Sequence, residues 1–342
     1  MEIRKKGNYE KIISILLVVV LSLSVLAGCK GEEAKTEGST AGQEERVLRI
    51  AAQPYPLYTP VYVAYEKGYL KEELDKVGVS FDWQEFQSGP LVNEAVAAGE
   101  ADMGFMADLP AILAKSTGQP IEIVSKDAYG EKGLAVLVKS DSSIKSVAEL
   151  KGKKVAYATG SYAQHLLALL LDQDGLSLDD VESINLGAGD QPAALANGEV
   201  DAIVIWEQYI SKLTSDGTAK VLADGTGIKR GNMVTYFLTD YAKANPDVVE
   251  AYIKALNRAD ELLASDPDAA AELTAEDFGV DTELMRKIID NFSYSTELTA
   301  EDIEEITKVK DFSLEAGIIA ADVDMNQFIN TQYLEEVNNE EK

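Results

Sequence analysis

"AVAAGEADMGF" (Ala95–Phe105) and "ALANGEVDAIVIW" (Ala194–Trp206) carry the same letters in the same register, Ala-x-Ala-x-Gly-Glu-x-Asp, 99 residues apart. Each reads as the last turn of an amphipathic helix, a glycine that ends it, and an apolar strand. Five identities in eight positions at one fixed spacing predict two corresponding places in two similar lobes. The correspondence runs past the strand. Asp108 and Glu207, also 99 apart, each follow the apolar run.

Outward from this pair, short apolar runs alternate with amphipathic segments from Val47, the pattern of α/β architecture with parallel sheets. "VLRIAA", "VSFDWQEF", "ADMGFM" and "PIEIVS" predict strands in the first half, separated by helices in "TPVYVAYEKGYLKEEL", "GPLVNEAVAAG" and "LPAILAKSTG". The second half repeats the order. "GLAVLVK", "KKVAYA", "DVESINL" and "DAIVIW" read as strands, "SYAQHLLALLLDQDG" and "QPAALANG" as helices, and "SVAE" (Ser146–Glu149) as a capping box. Beyond Asp240 the chain turns helical, and this tail is expected to pack back on the first lobe. The division that follows is residues 47–130 plus 238–342 for lobe 1 and 131–237 for lobe 2. The crossings fall near "DAYGEKG" and "GNMVTYF", whose glycines suit a hinge.

The N-terminus is of another kind. Arg4, Lys5, Lys6 and Lys11 precede the uncharged run Ile12–Gly28, which ends in "LAGC". A basic start, an apolar middle and small residues before a cleavage point describe an export signal over residues 1–28. "LAGC" resembles the bacterial lipobox, in which the cysteine, here Cys29, is lipidated; an uncleaved anchor helix is the alternative. Cys29 is the only cysteine, so a disulfide and a Cys-based metal site are excluded. Residues 29–46, rich in Gly, Ser, Thr and Glu, read as a flexible tether. Residues 1–28 carry four basic and two acidic side chains, so removing them takes the net charge from −28 to about −30. Such a charge argues against nucleic acid or an anionic lipid surface as the main partner.

Ligands of open α/β sheets bind beyond the carboxyl ends of the strands. Two such lobes face to face make a cleft that closes on a solute. The loops in that position contribute Gln53, Tyr55 and Tyr58, then Ser88 and Gly89, Asp108, and Tyr129 from lobe 1. Lobe 2 contributes Thr159, Gly160, Ser161, Tyr162 and Gln164, then Asp190, Trp206, Glu207 and Tyr209. Thr159, Gly160 and Ser161 open a helix, where free N–H groups and the dipole favour an anion; simple capping is the alternative. The tyrosines and Trp206 suit ligand walls. Asp108 and Asp190 precede helices and read equally as caps, whereas Glu207 has no such duty in the sequence and is the sharper candidate for an amine. His165, the only histidine, reads as a cleft residue or as packing. No second His or Cys supports a metal site or a triad, and there is no Gly-x-x-x-x-Gly-Lys loop. Neither a metal nor another cofactor is expected, and no catalytic residue is named.

"YEKGYLKEELDKVGVSFDWQEFQSGPLVNEAVAAGEADMGFMADLPAI", "SSIKSVAELKGKKVAYATGSYAQHLLALLL" and "GDQPAALANGEVDAIVIWEQY" resemble the substrate-binding lipoproteins of ABC importers of the nitrate/taurine/aliphatic-sulfonate type. The resemblance spans most of residues 47–260. It implies a two-lobed type II periplasmic-binding-protein fold with a ligand cleft between the lobes. It also implies a small-molecule solute, a permease with its ATPase as partners, and a monomer anchored at the outer face of the membrane. The family's ligand contacts fall here on Gln53, Ser88, Gly89, Asp108, Gly160, Ser161, Gln164, Asp190, Trp206 and Glu207. Sulfonate binders often have a histidine where Gln164 stands, His165 is one position late, and few basic residues reach the cleft. A pyrimidine-like or thiamine-precursor-like nutrient is therefore the alternative ligand. An exported enzyme or a sensor domain on the same fold is the alternative of another class. The pyrimidine-synthesis enzymes on this fold rely on reactive His and Cys residues that are missing here.

Overall fold

The computed structural model describes residues 46–340; the export signal, Cys29 and nearly all of the tether lie outside them. Arg46, the last tether residue by sequence, already belongs to the first strand. Its guanidinium pairs with Asp247 at 2.9 Å. No helix among the described residues is long and apolar enough to cross a membrane.

The strands form two sheets. The first contains β1 (Arg46–Ala52), β2 (Val79–Glu85), β3 (Met103–Ala107), β4 (Ile121–Tyr129), β10 (Asn232–Leu238) and β11 (Ser293–Tyr294), in the order β11-β4-β10-β3-β1-β2. The second contains β5 (Leu134–Lys139), β6 (Lys154–Tyr157), β7 (Glu182–Asn185), β8 (Ala202–Trp206) and β9 (Ala219–Asp224), in the order β7-β6-β8-β5-β9. Both are mixed rather than parallel. In the first, β2-β1-β3 run parallel and β10 joins β3 antiparallel; in the second, β7-β6-β8 run parallel and β5 joins β8 antiparallel. Each antiparallel strand is the one that follows a crossing. The crossing expected near residue 237 therefore lies before Asn232, and "NMVTYFL" is a buried strand between β3 and β4 instead of a hinge. Its apolar residues go into the first core because both of its faces are covered.

The repeated motif folds identically in both sheets. Helix Gly89–Ala97 ends at Gly99 (φ 74°) and helix Gln191–Asn197 at Gly198 (φ 75°), the left-handed conformation glycine adopts without strain. The next N–H closes the turn in each case, Glu100 to the Ala95 carbonyl at 2.9 Å and Glu199 to the Ala194 carbonyl at 3.0 Å. The motif's aspartates then bind the neighbouring strand. Asp102 accepts from the Arg49 backbone N–H at 3.0 Å and Asp201 from that of Lys154 at 2.9 Å. The strands that follow, β3 and β8, are buried along their whole length. By contrast "SVAE" forms one 3-10 turn, Val147–Leu150, and Ser146 makes no side-chain cap there.

The tail covers the first sheet. Helix Pro246–Ser265 buries Val249, Tyr252, Ile253 and Leu256 along one side, at the three- and four-residue spacing of an amphipathic helix. Helix Ala300–Glu315 starts at a capping box of Thr299 and Asp302 and packs against helix Asp108–Ser116.

Candidate functional site

A small cavity of ≈ 20 Å³ lies between the lobes, lined by Gln53, Tyr55, Leu57, Tyr58, Gly89, Ala107, Pro110, Ser161, Tyr162 and Trp206. That volume holds about one water molecule. Four helices begin beside it: Thr59–Glu66, Gly89–Ala97 and Asp108–Ser116 from the first lobe, and Tyr162–Gln173 from the second. Each brings the positive end of its dipole to this region, although Pro60, Pro90 and Pro110 carry no N–H and the Leu109 N–H is taken by the Asp108 carboxylate at 2.8 Å. The first three begin without a side-chain cap, while Ser161 caps the fourth, accepting from the Ala163 N–H at 3.3 Å. Gly89 has a steric reason to be glycine. A Cβ there would lie 2.7 Å from the Pro110 ring.

Aromatic rings close the cavity. Tyr55 of the first lobe meets Trp206 of the second edge to face at 5.6 Å, and Tyr209 lies 6.5 Å from Tyr55. Tyr162 packs on Trp206 at 5.7 Å. Gln53 is buried and donates to the Phe105 carbonyl at 2.7 Å, and the Tyr55 hydroxyl donates to the Gln87 carbonyl at 2.8 Å. The Trp206 indole N–H is buried without a hydrogen-bond partner among the described residues. Such a donor is rare in a native interior.

Of the residues expected from the sequence, Gln53, Tyr55, Tyr58, Gly89, Ser161, Tyr162 and Trp206 line this cavity. Ser88 and Gly160 flank it. The others are elsewhere. Thr159 is exposed, and Gln164 turns back to accept from the Gly160 N–H at 2.8 Å. Asp190 is exposed at the start of helix Gln191–Asn197. Tyr129 sits at the hinge, where the Arg230 guanidinium stacks on its ring at 3.9 Å. Glu207 does have a capping duty. It accepts from the Ser211 N–H at 3.0 Å and the Ser211 hydroxyl at 2.8 Å, at the start of helix Tyr209–Ser215, and from the Asn291 amide at 3.3 Å. Burial raises its pKa above the ordinary carboxylate value.

Asp108 is fully buried and engaged. Lys229 Nζ binds its two carboxylate oxygens at 2.8 and 3.0 Å, and neither side chain is more than 2% exposed. Lys229 stands on the second crossing, in "GTGIKRGN", and sequence reasoning missed it. A lysine amid glycines in a polar connection carries no sign of burial.

The protein-family model described as "NMT1/THI5 like" matches residues 55–270. A Bacillus subtilis protein named for aliphatic-sulfonate binding is 29% identical over 321 residues, 93% of this chain and 95% of its own. The taurine-binding periplasmic protein of Escherichia coli is 28% identical over 195 residues, 56% of this chain and 60% of its own. Among solved structures, the alkanesulfonate-binding protein SsuA from Xanthomonas axonopodis pv. citri, bound to MOPS, superposes with a TM-score of 0.78 at 28% identity, over 84% of this chain and 99% of that one. The two mixed sheets, the cleft between them and these matches agree: this chain belongs to the NMT1/THI5-like family and has the two-lobed periplasmic-binding-protein fold.

Proposed function

We propose that this chain is the extracytoplasmic solute-binding protein of an ABC importer. It captures a small sulfonate or amino-sulfonate between its lobes and delivers it to a membrane permease driven by a separate ATPase. The carrying observation is the meeting of four helix N-termini at one interlobe cavity walled by Trp206, whose buried indole N–H has no partner among the described residues. Helix N-termini favour an anionic head, and the indole N–H adds a donor. The rings of Tyr55, Tyr58, Tyr162 and Trp206 suit an organic body. Relatives named for alkanesulfonate and taurine binding support the same class. A cavity of ≈ 20 Å³ is too small for such a solute, so the lobes part to admit it and close again around it. In this reading residues 1–28 direct export and lipidated Cys29 holds the monomer at the membrane. The solute leaves unchanged. The same four rings favour a second reading, a ring-bearing solute such as a pyrimidine.

A thermal-shift panel on residues 30–342 tests both readings, with taurine, alkanesulfonates, nitrate, sulfate, pyrimidines and amino acids. A ligand at 100 times its Kd adds about 2.7 kcal/mol, which raises Tm by several degrees in a protein of this size. A shift with sulfonates alone supports the first reading. A shift with pyrimidines alone moves the assignment to the second, and consumption of any ligand during incubation would overturn the assignment as a binding protein.

A further inference from the structure

β4 ends at Tyr129 and β5 begins at Leu134, so the first crossing is only residues 130–133. Its two glycines suit a hinge by sequence, yet neither owes its place to backbone conformation. Gly130 is extended (φ −171°, ψ 113°), as any residue can be, and Gly133 is not left-handed. What excludes a side chain at both is one aromatic ring. A Cβ on Gly130 would lie 2.5 Å from Cδ1 of Phe292, and one on Gly133 would lie 2.5 Å from its Cε1 and Cζ. Carbon atoms in contact stand about 3.5–4.0 Å apart, so the two glycines form the seat of the Phe292 ring.

Phe292 is buried and belongs to the tail, fixed on the first lobe. Its N–H donates to the Ile289 carbonyl at 3.1 Å, and the next two residues, β11, pair with Tyr129 and Ala128 of β4. Gly133, in contrast, is where the second lobe starts, and its carbonyl holds two parts of that lobe. It accepts from the Glu207 backbone N–H at 3.1 Å and from the Tyr162 hydroxyl at 3.4 Å. Tyr162 and Trp206, the residue before Glu207, both line the interlobe cavity. A swing of the lobes is absorbed by the dihedral angles of a few hinge residues. Any such swing about the first crossing carries Gly133 across a ring that stays with the first lobe.

We propose that Phe292 is the stop of the interlobe hinge. It is a positioning residue: its ring, seated on Gly130 and Gly133, sets how far the second lobe swings and so holds Tyr162 and Trp206 at the closed cavity. The ring touches no solute and acts through the Gly133 carbonyl. Its effect on solute affinity rests on the binding role proposed above, whereas its effect on the lobes does not. The contact also defines its own complement. Leucine has no counterpart of the Phe292 Cε1 and Cζ, and the Cδ1 it keeps would stand 3.7 Å from a Cβ on Gly133, an ordinary contact.

Residues 30–342 contain no cysteine, so spin labels go where cysteines are introduced. Glu94→Cys in the first lobe and Ser215→Cys in the second, both exposed positions, report the interlobe distance by double electron–electron resonance. The distances are read without solute, so loss of the sulfonate reading would leave the result standing. Phe292→Leu and Gly133→Ala should each lengthen and broaden the distance distribution, and the two together should return it toward that of the parent. Taurine affinity, measured by calorimetry, should fall in each single variant in proportion to the closed population lost, and recover in the pair. An unchanged distribution in both single variants overturns the proposal and leaves Phe292 as packing alone. So does a pair no nearer to the parent than its members. If Gly133→Ala does not fold by itself, the distances in Phe292→Leu decide: longer ones support the stop, and unchanged ones remove it.

Discussion

Asp108 and Lys229 meet where water screens neither, so the pair is held by each partner's need for the other. Removing one charge of a buried pair typically costs 3–5 kcal/mol, whereas removing both is often close to neutral. Asp108→Asn should therefore lower stability by about 3 kcal/mol in urea titrations. The double variant Asp108→Asn/Lys229→Met should recover most of it, and a single-variant loss under about 1 kcal/mol would mean that water reaches the pair. Trp206 poses the opposite case. Its indole N–H has no partner among the described residues, so Trp206→Phe deprives the fold of no hydrogen bond while removing the donor proposed for the solute. Solute affinity should fall roughly tenfold, with a stability loss of about 1–2 kcal/mol from the smaller ring beside Tyr55 and Tyr162. Equal affinity in the variant would show that the solute does not use that donor. Glu207 joins neither group. As a cap its replacement by Ala should cost about 1 kcal/mol of stability and leave solute affinity unchanged.

At the scale of the element, the two copies of the helix–Gly–strand motif make a matched experiment. A Cβ at Gly99 or Gly198 would meet nothing within 4 Å, so substitution by Ala strains only the left-handed backbone. Each variant should lose about 1–2 kcal/mol, and the two losses should agree closely. A large difference in urea midpoint would argue against equivalence of the two places. This motif was legible in the sequence because everything it encodes is local: helix face, glycine stop, an aspartate, and the strand that begins at the next residue. Other features were not. "NMVTYFL" became a central strand because the gap between β3 and β4 must be filled from outside their own segment, which no local pattern announces. Ser211, the partner that turns Glu207 into a cap, is four residues on, but a helix of seven residues gives little periodicity to read. Lys229 depends wholly on where the crossing brings it. Local grammar fixed the helices and most strands, while half of the expected cleft residues were decided by long-range contacts.

At the scale of the whole molecule, buried acids shape the pH response. Burial raises Asp127, in β4, to about 7. Asp260, on the helix that covers β4, rises to about 8 through burial and then the Asp127 charge. Both stay protonated in the folded state above the pH at which the unfolded chain releases those protons, near 4. Their effect is thus absent below about pH 4 and increasingly destabilising as pH rises through 7 to 8. Asp127→Asn should flatten the decline of Tm between pH 5 and 8; an unaltered slope would assign that decline to other groups.

β10 also imposes an order in time. A chain made from its N-terminus presents β1 to β4 long before residue 232 exists, and until then the facing edges of β3 and β4 have no strand between them. Residues 134–224, in contrast, contain every strand of the second sheet. The inserted lobe is the segment that can complete itself first, and the sheet begun earliest is the last to be finished. Those bare edges are the surfaces most in need of protection while the protein is being made.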